Sequence, residues 1–377
     1  MREMEMLKRF SKEEIMAGKA KVTIKDVAKE AGVSQSSVHL ALSGKAGVSE
    51  STRQRILEIA RRMNYTPSPL AANLKRETLT IAVVLPEKNT NSRFYYDFMR
   101  DAAVDYGPVA QGYNLNLLLL EFSDLAKTLA QLDLGAISGL ITMGYPEDGC
   151  TEAISQVSKA GVPVILLDND LPESGRICCI KSNNDLLGKL TGELLMDMIR
   201  WPSGEVLVCA GFKGYPNHYE IVDGLAAFLK EQKVQMPLVR EYFHDIGEEP
   251  LTKLKQQLLE RPIVGCCTVN SRATLVMAQA LDELGMAKRI PLIGSGLYSE
   301  SVRYLERGVV TALINKRPYE QCYQALQMMT DLLVRSEAPE QPELHVGGEV
   351  VFRSMLEQYE RISFRKMERM APLSLFR

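Results

Sequence analysis

Residues 22–76 read VTIKDVAKEAGVSQSSVHLALSGKAGVSESTRQRILEIARRMNYTPSPLAANLKR. The stretch is punctuated as three short helices followed by a proline-bounded fourth. Thr23 is placed to cap a first helix, with Asp26 three residues on beside the exposed N–H groups. Ile24, Val27, Ala28 and Ala31 recur at helical spacing and make one apolar face. Gly32 ends that helix, since the left-handed conformation is cheapest for glycine. Ser34 caps a second helix over about 35–42, with Val38 and Leu42 turned inward and Gln35, Ser36, His39 and Leu40 on its other faces or ends. Helix, tight glycine-containing turn, helix is the helix-turn-helix pattern of DNA-reading heads. Ser49 caps a third helix, whose Ile56, Ile59, Ala60 and Met63 close a small core.

Charge points the same way. Residues 1–76 hold 15 Lys and Arg against 8 Asp and Glu, a net of +7, whereas the whole chain carries −2, which leaves −9 on residues 77–377. A basic head on an acidic body suits phosphate binding by the head alone. The alternative for a charged helical head is a protein-interaction module, but the caps, the turn glycine and the charge agree on DNA.

The TIKDVAKEAGVS run (Thr23 to Ser34), the VSESTRQRI run (Val48 to Ile56), NYTPS (Asn64 to Ser68) and LAANLK (Leu70 to Lys75) resemble the lactose-repressor family of bacterial transcription regulators. Weaker resemblance continues to about Phe352. It implies that Gln35 and Ser36 begin the recognition helix and touch base edges, and that Ser37 matches a phosphate-contacting threonine. Thr23, His39 and Leu40 complete the expected DNA-binding set in the head. Residues 67–75 match the hinge helix, which contributes Ala71, Asn73 and Leu74. Leu74 matches a leucine wedged into the minor groove, where unstacking is offset by the extra contacts of a bent duplex.

Two departures touch DNA reading. Relatives often carry Ser then Arg or His where this chain has His39 then Leu40. Arginine there could grip guanine in bidentate fashion, whereas leucine offers only apolar contact, for example to a thymine methyl; otherwise Leu40 extends the apolar core of the head. Ala72 replaces a frequent hinge arginine and removes a minor-groove cation.

From Thr78 the chain alternates Leu-rich or β-branched runs with amphipathic segments. TIAVVLP (80–86), LNLLLLEF (115–122), GLITMG (139–144), VPVILLD (162–168), EVLVCAG (205–211), VGCCTVN (264–270), IPLIGSG (290–296) and VVTALIN (309–315) read as buried parallel strands. Residues 185–199, 221–231 and 271–284 read as helices. This rhythm predicts a doubly wound α/β body, and about 270 residues favours two subdomains. The expected division is 1–21 extension, 22–66 helix-turn-helix head, 67–77 hinge helix and linker, 78–353 two-lobed effector-binding and dimerisation domain, and 354–377 tail.

The resemblance implies a periplasmic-binding-protein-like body, with two Rossmann-like lobes joined by three crossovers around a ligand. The open-sheet rule places that ligand at the carboxyl ends of the strands. Phe94, Tyr95 and Tyr96 follow the first strand, where relatives stack aromatics on a sugar ring. Asp168 and Asp170 end the fourth strand, and Asn270 matches an amide ligand. The competing readings are lobe packing for the aromatics and helix capping for the aspartates. His218 follows Gly211 and either lines the cleft or sits on a surface loop.

The cleft pattern also breaks. Relatives commonly end the seventh strand in Gly-Phe-Asp or Gly-Tyr-Asp, whereas this chain has Gly294, Ser295 and Gly296. A family arginine is replaced by Ile221, three before Gly224, and a usual glutamine is Lys316, two before Pro318. Losing an acidic acceptor and gaining an ammonium points away from a plain neutral pentose and towards an anionic effector such as a sugar phosphate or sugar acid. The alternatives are that Lys316 faces solvent, or that the ligand function is altered or lost.

No motif argues for an enzyme: GxGxxG after a strand, GxxxxGK[ST], HExxH and GxSxG are all missing. No metal site or cofactor is expected. The seven cysteines include the neighbours Cys178 and Cys179, and Cys266 and Cys267, which read as small core residues on opposite strand faces. Their odd number fits a reducing cytoplasm. Residues 1–21 lack the apolar core of a signal peptide, and no apolar run approaches the roughly 20 residues of a membrane span. Family members usually start near the head, so 1–21 reads as a disordered arm or a mis-called start. The tail has too few heptads for a tetramerising coiled coil, which favours a homodimer.

The combined expectation is a cytoplasmic regulator, a repressor by family default. Two heads bind a pseudo-palindromic DNA operator and a sugar-like effector in the cleft alters the binding. The other readings are a regulator with an unresponsive cleft and, against the head, a solute receptor.

Overall fold

The computed structural model describes residues 22–42, 44, 46–63, 65, 77–88, 93–147, 149–200, 203–212, 214–243 and 247–359. It divides into two compact units, 1–77 and 78–377.

In the first unit, helices α1 (Ile24–Ala31), α2 (Gln35–Leu42) and α3 (Glu50–Arg62) surround a core of Val27, Val38, Ala41, Ile56 and Ile59. The capping box forms as its residues require. The Thr23 N–H donates to Asp26 at 2.8 Å, and the Asp26 N–H returns to the Thr23 hydroxyl at 3.4 Å. Gly32 closes α1 in the left-handed region at φ 62°. The Ser34 hydroxyl accepts from the Ser37 N–H at 3.1 Å and starts α2, and Ser49 accepts from Thr52 and starts α3. Leu42 and Met63 are half-buried and pack against this core from its rim.

The second unit holds two six-stranded sheets. The strands are β1 (Leu79–Pro86), β2 (Leu115–Phe122), β3 (Gly139–Met143), β4 (Val164–Leu167), β5 (Cys178–Ser182), β6 (Glu205–Cys209), β7 (Leu238–Glu241), β8 (Ile263–Thr268), β9 (Leu292–Ser295), β10 (Ala312–Asn315), β11 (Glu343–Val346) and β12 (Glu349–Val351). The first sheet runs β2-β1-β3-β4-β5-β11, all parallel; the second runs β7-β6-β8-β9-β10-β12, with only β12 antiparallel. Each is therefore a doubly wound lobe of the same order.

The helices are α4 (Arg93–Gly112), α5 (Leu125–Ala130), α6 (Cys150–Lys159), α7 (Asn184–Met198), α8 (Pro216–Glu231), α9 (Glu248–Glu260), α10 (Ser271–Glu283), α11 (Ser299–Glu306), α12 (Pro318–Arg335) and α13 (Leu356–Tyr359). The chain crosses between lobes three times: from β5 into α7, from β10 into α12, and from β11 to β12.

Ile81 to Leu85, Leu140, Ile141 and Ile165 to Leu167 are fully buried in the first lobe, as parallel strands covered on both faces demand. All seven cysteines are buried and free, and the four in the adjacent pairs lie on β5 and β8. Strands β5, β7, β11 and β12 are additional to those read from the sequence. Each of them carries a charge: Lys181 in β5, Arg240 and Glu241 in β7, Glu343 in β11 and Glu349 in β12. Helix α8 begins five residues before the amphipathic run, because Pro216 takes its first turn. Among the described residues no helix is long and apolar enough to cross a membrane.

Candidate functional site

Two surfaces carry chemistry, one in each unit. In the head, α2 buries Val38 and Ala41 and presents Gln35, Ser36 and His39 to solvent, with Ser37 half-exposed. Leu40 is also half-exposed. It packs outside the apolar core and leans on the turn at Gly47, where a Cβ would come within 2.9 Å of it. Thr23 is occupied in capping α1. Arg53, which the sequence reading passed over, reaches back from α3. Its guanidinium donates to the carbonyls of Leu40 and Ala41 at 3.1 and 3.0 Å and so fixes the last turn of α2. A basic residue four positions after a cap is too common to have marked it out. Ala71, Asn73 and Leu74 of the expected hinge lie outside the described residues.

In the body, the carboxyl ends of both sheets face a cavity of about 80 Å³. The first lobe lines it with Tyr95, Tyr96, Asp168 and Asn169, and the second lobe and its crossover with His218, Asn270, Gly296 and Lys316 among others. The structure thus brings together Tyr95, Asp168, His218, Asn270, Gly296 and Lys316 from distant parts of the chain. Phe94 lies in α4 with its side chain outside the described atoms. Asp170 is placed elsewhere: it makes a two-pronged ion pair with Arg176 at 2.5 and 2.7 Å and does not line the cavity.

Asp168 is the hub. Its backbone is left-handed at φ 65°, and its side chain is buried. One oxygen accepts from the Tyr95 hydroxyl at 2.9 Å, and the other from the Asn217 amide at 2.8 Å and the Asn169 amide at 3.5 Å. Burial pushes this carboxyl above its ordinary value, while Lys316 and the donated hydrogen bonds pull it back. Tyr95 is pushed far up by burial and by the neighbouring carboxylate, so it stays a donor.

Asn217 belongs to the second lobe. Its backbone N–H also donates to the Asn169 side chain at 3.3 Å, so the start of α8 is tied to the end of β4 across the cleft. The pair Tyr-Pro at 215–216 was its only sequence signal.

Aromatic rings form one wall across both lobes. The hydroxyls of Tyr96 and Tyr145 lie 2.6 Å apart, the rings of Tyr145 and Tyr215 are 5.6 Å apart, and Tyr215 lies 5.4 Å from His218. His218 is buried in the first turn of α8, not on a surface loop. Its Nδ1 accepts from the Phe212 N–H at 3.1 Å, which assigns the ring proton to Nε2. Asn270 caps α10 through its oxygen, which accepts from Ala273 at 2.9 Å, and its amide nitrogen remains for the cavity. Gly296 sits at φ 92°, where a Cβ would run into the Ser271 hydroxyl. Ser271 therefore occupies the space that a side chain at position 296 would need.

Lys316 follows β10 and is 6 % exposed, with its carbonyl held by the Ser182 hydroxyl at 2.9 Å and the Gln321 amide at 2.8 Å. Desolvation pushes its ammonium down, partly offset by Asp168 and Glu220. The next residue, Arg317, is left-handed at φ 54° and caps α12. Strained residues thus flank the site on both sides of the cleft. Among the described residues no cluster suited to a metal ion is found.

Comparison with known proteins finds matches for both units. Residues 23–68 match the bacterial regulatory proteins of the lacI family, and residues 88–337 match the periplasmic binding protein domain. Catabolite control protein A of Streptococcus mutans is 28% identical over 212 residues, 51% of this chain and 60% of that protein. The HTH-type transcriptional regulator RegA of Clostridium acetobutylicum is 29% identical over 151 residues, 39% of this chain and 43% of its own length. The matches thus span about half the length of these relatives. Among solved structures, a glucose-galactose binding protein from Geobacillus stearothermophilus superposes with a TM-score of 0.65 at 20% identity, covering 74% of this chain and 99% of its own. A periplasmic solute binding protein from Actinobacillus succinogenes with bound D-allose does so with a TM-score of 0.65 at 19% identity, covering 74% and 100%. The likeness of these two is one of fold. The chain carries a lacI-family regulatory-protein domain at residues 23–68, and over 88–337 it belongs to the periplasmic binding protein domain family.

Proposed function

We propose that this protein is a sequence-specific DNA-binding transcription regulator of carbohydrate-related genes, a repressor in its default action. A homodimer places two heads on a pseudo-palindromic operator, and a small sugar-like effector between the lobes sets operator affinity. One observation carries the reading: a capped helix-turn-helix with an exposed polar face stands on the same chain as a two-lobed cleft lined by aromatics and amides. Gln35, Ser36 and His39 meet base edges, with Leu40 beside them. Ser37 meets phosphate, and Thr23 braces α1 against the backbone. Ala71, Asn73 and Leu74 are assigned to the minor groove. Tyr95, Asn270, His218 and Lys316 contact the effector, and Asp168 orders the wall they stand on.

The effector acts only through unequal affinity for the DNA-competent and DNA-incompetent states. The Asp168–Asn217 tie and the Lys181–Glu220 ion pair at 3.3 Å both join the lobes, so they are where those states differ. The test is to capture genomic fragments with the purified protein and sequence them. An enriched palindrome near uptake or catabolic genes is the expected result. Salt-sensitive retention with no enriched sequence defeats the reading.

A further inference from the structure

The cleft holds one buried carboxylate and one buried ammonium, and their partnerships are unequal. Both oxygens of Asp168 already accept from the protein, through Tyr95, Asn217 and Asn169. The nearby carboxylate of Glu220 is engaged as well, with Lys181 at 3.3 Å and Asn184 at 2.9 Å. Lys316 is different. It is 6 % exposed and lines the cavity, yet among the described residues its ammonium makes no hydrogen bond and has no carboxylate within 4.0 Å.

An ammonium has three donors and no acceptor capacity. Taken out of water, it is costly unless an anion or several acceptors replace the lost hydration. Among the described residues Asp168 and Glu220 offset this only in part, from beyond 4.0 Å. The rest of the cavity is chemically neutral or cationic: amides at Asn270 and Asn315, hydroxyls at Ser271 and Ser295, and the Arg272 side chain. The aromatic wall and these amides suit a polyhydroxylated ring; the Asn217 Oδ1, buried without a partner among the described residues, asks for a hydroxyl donor, and the demand for negative charge lies at Lys316.

We infer that the effector carries an acidic group, a carboxylate or a phosphate, that seats on the Lys316 ammonium. This rests on the cleft being the effector site of a regulator. In such a complex the ring lies along Tyr96 and Tyr215, its hydroxyls meet Asn270 and Asn315, and the acid closes an ion pair sheltered from solvent. Charge-assisted hydrogen bonds in such shelter are about twice as strong as neutral ones.

The experiment is titration calorimetry on the full chain with D-glucose, D-glucuronate, D-gluconate, glucose 6-phosphate and inorganic phosphate as probes. At least one acidic sugar is expected to bind about tenfold or more tighter than D-glucose, a gap of about 1.4 kcal/mol. D-Glucuronate or D-gluconate in that place identifies a carboxylate, and glucose 6-phosphate with competing inorganic phosphate identifies a phosphate. In Lys316→Gln that preference falls to about one, and in Lys316→Arg it is retained, because charge is what the site supplies. Equal or tighter binding of D-glucose, no binding of any acidic probe, or a preference that survives in Lys316→Gln overturns the inference. Thermal melts of each variant show that it is folded. DNA capture without added sugar is scored separately, so the regulator reading can fail or stand regardless of this result.

Discussion

At position 40 helix α2 carries a leucine that is half-exposed and rests on Gly47 rather than in the core of the head. Its outer surface offers DNA only an apolar contact. Leu40→Arg is therefore expected to shift operator preference towards guanine at one position, by about 1–3 kcal/mol of discrimination. Selection from a randomised operator library reads this directly; an unchanged consensus would place Leu40 off the bases.

Position 296 gives the converse case, since an acid cannot simply be placed there. Gly296→Asp would force a side chain into the Ser271 hydroxyl from a left-handed backbone. It should destabilise the body by about 1–3 kcal/mol and create no sugar site. Equilibrium unfolding together with calorimetry checks both halves.

The Lys316 ammonium, held down mainly by burial, fixes a sign. The folded chain releases this proton before the unfolded chain does. Native stability should therefore rise with pH between the depressed value and the ordinary lysine range, relative to Lys316→Met. Asp168 does the opposite, since its raised carboxyl takes up a proton first in the folded state and costs stability as pH climbs through that value. Urea unfolding at a series of pH values compares the slopes. The identities of such residues were legible in the sequence, but their partnerships were not. Nothing in the spacing between Asp168 and Asn217 says that they meet, and Asp170 reads as well as Asp168 until Arg176 is seen to hold it.

At the scale of elements, α7 and α8 cross on the second lobe with glycine on each side. A Cβ at Gly188 would run into the Ile221 carbonyl, and one at Gly224 into the Asp185 carbonyl. Backbone cannot yield as a side-chain tip can, so Gly188→Ala or Gly224→Ala should cost about 1–3 kcal/mol or more by driving the helices apart. Because α7 carries the first crossover and α8 begins with Asn217, the same substitutions should also loosen the lobe-to-lobe tie. A melting temperature unchanged in both variants would contradict this packing. Elements were legible where composition alone decides. Residues 115–122 form the strand they spell, and 35–42 the helix; the leucine run of 115–122 reads as buried, but it is an edge strand in which only Leu115 and Phe122 are buried. Cys178–Ser182 and Glu343–Val346 were not legible as strands, because Lys181, Glu343 and His345 look like loop charges. Lys181 is accommodated in the sheet only by Glu220 and Glu343, which come from distant parts of the chain.

For the molecule as a whole, charge is divided unevenly: +7 on residues 1–76 and −9 on the remainder. DNA repels such a body and attracts such a head, so the free energy of association is concentrated in a small part of the chain. Each phosphate neutralised releases counterions, with a slope of about −0.9 in log affinity against log salt. Two heads making about 6–10 phosphate contacts between them should lose about 10³–10⁵ in affinity between 50 and 200 mM salt. Fluorescence anisotropy with operator and with unrelated duplex DNA measures both slopes. Specific base contacts such as those assigned to Gln35 and Ser36 carry little salt dependence, so the two curves should run nearly parallel and differ mainly in height. Replacing an exposed cation of the body, as in Lys230→Gln, should leave the slope where it was. If it instead flattened by about one unit, DNA would have to touch the acidic body, and the division of labour argued from charge would fall.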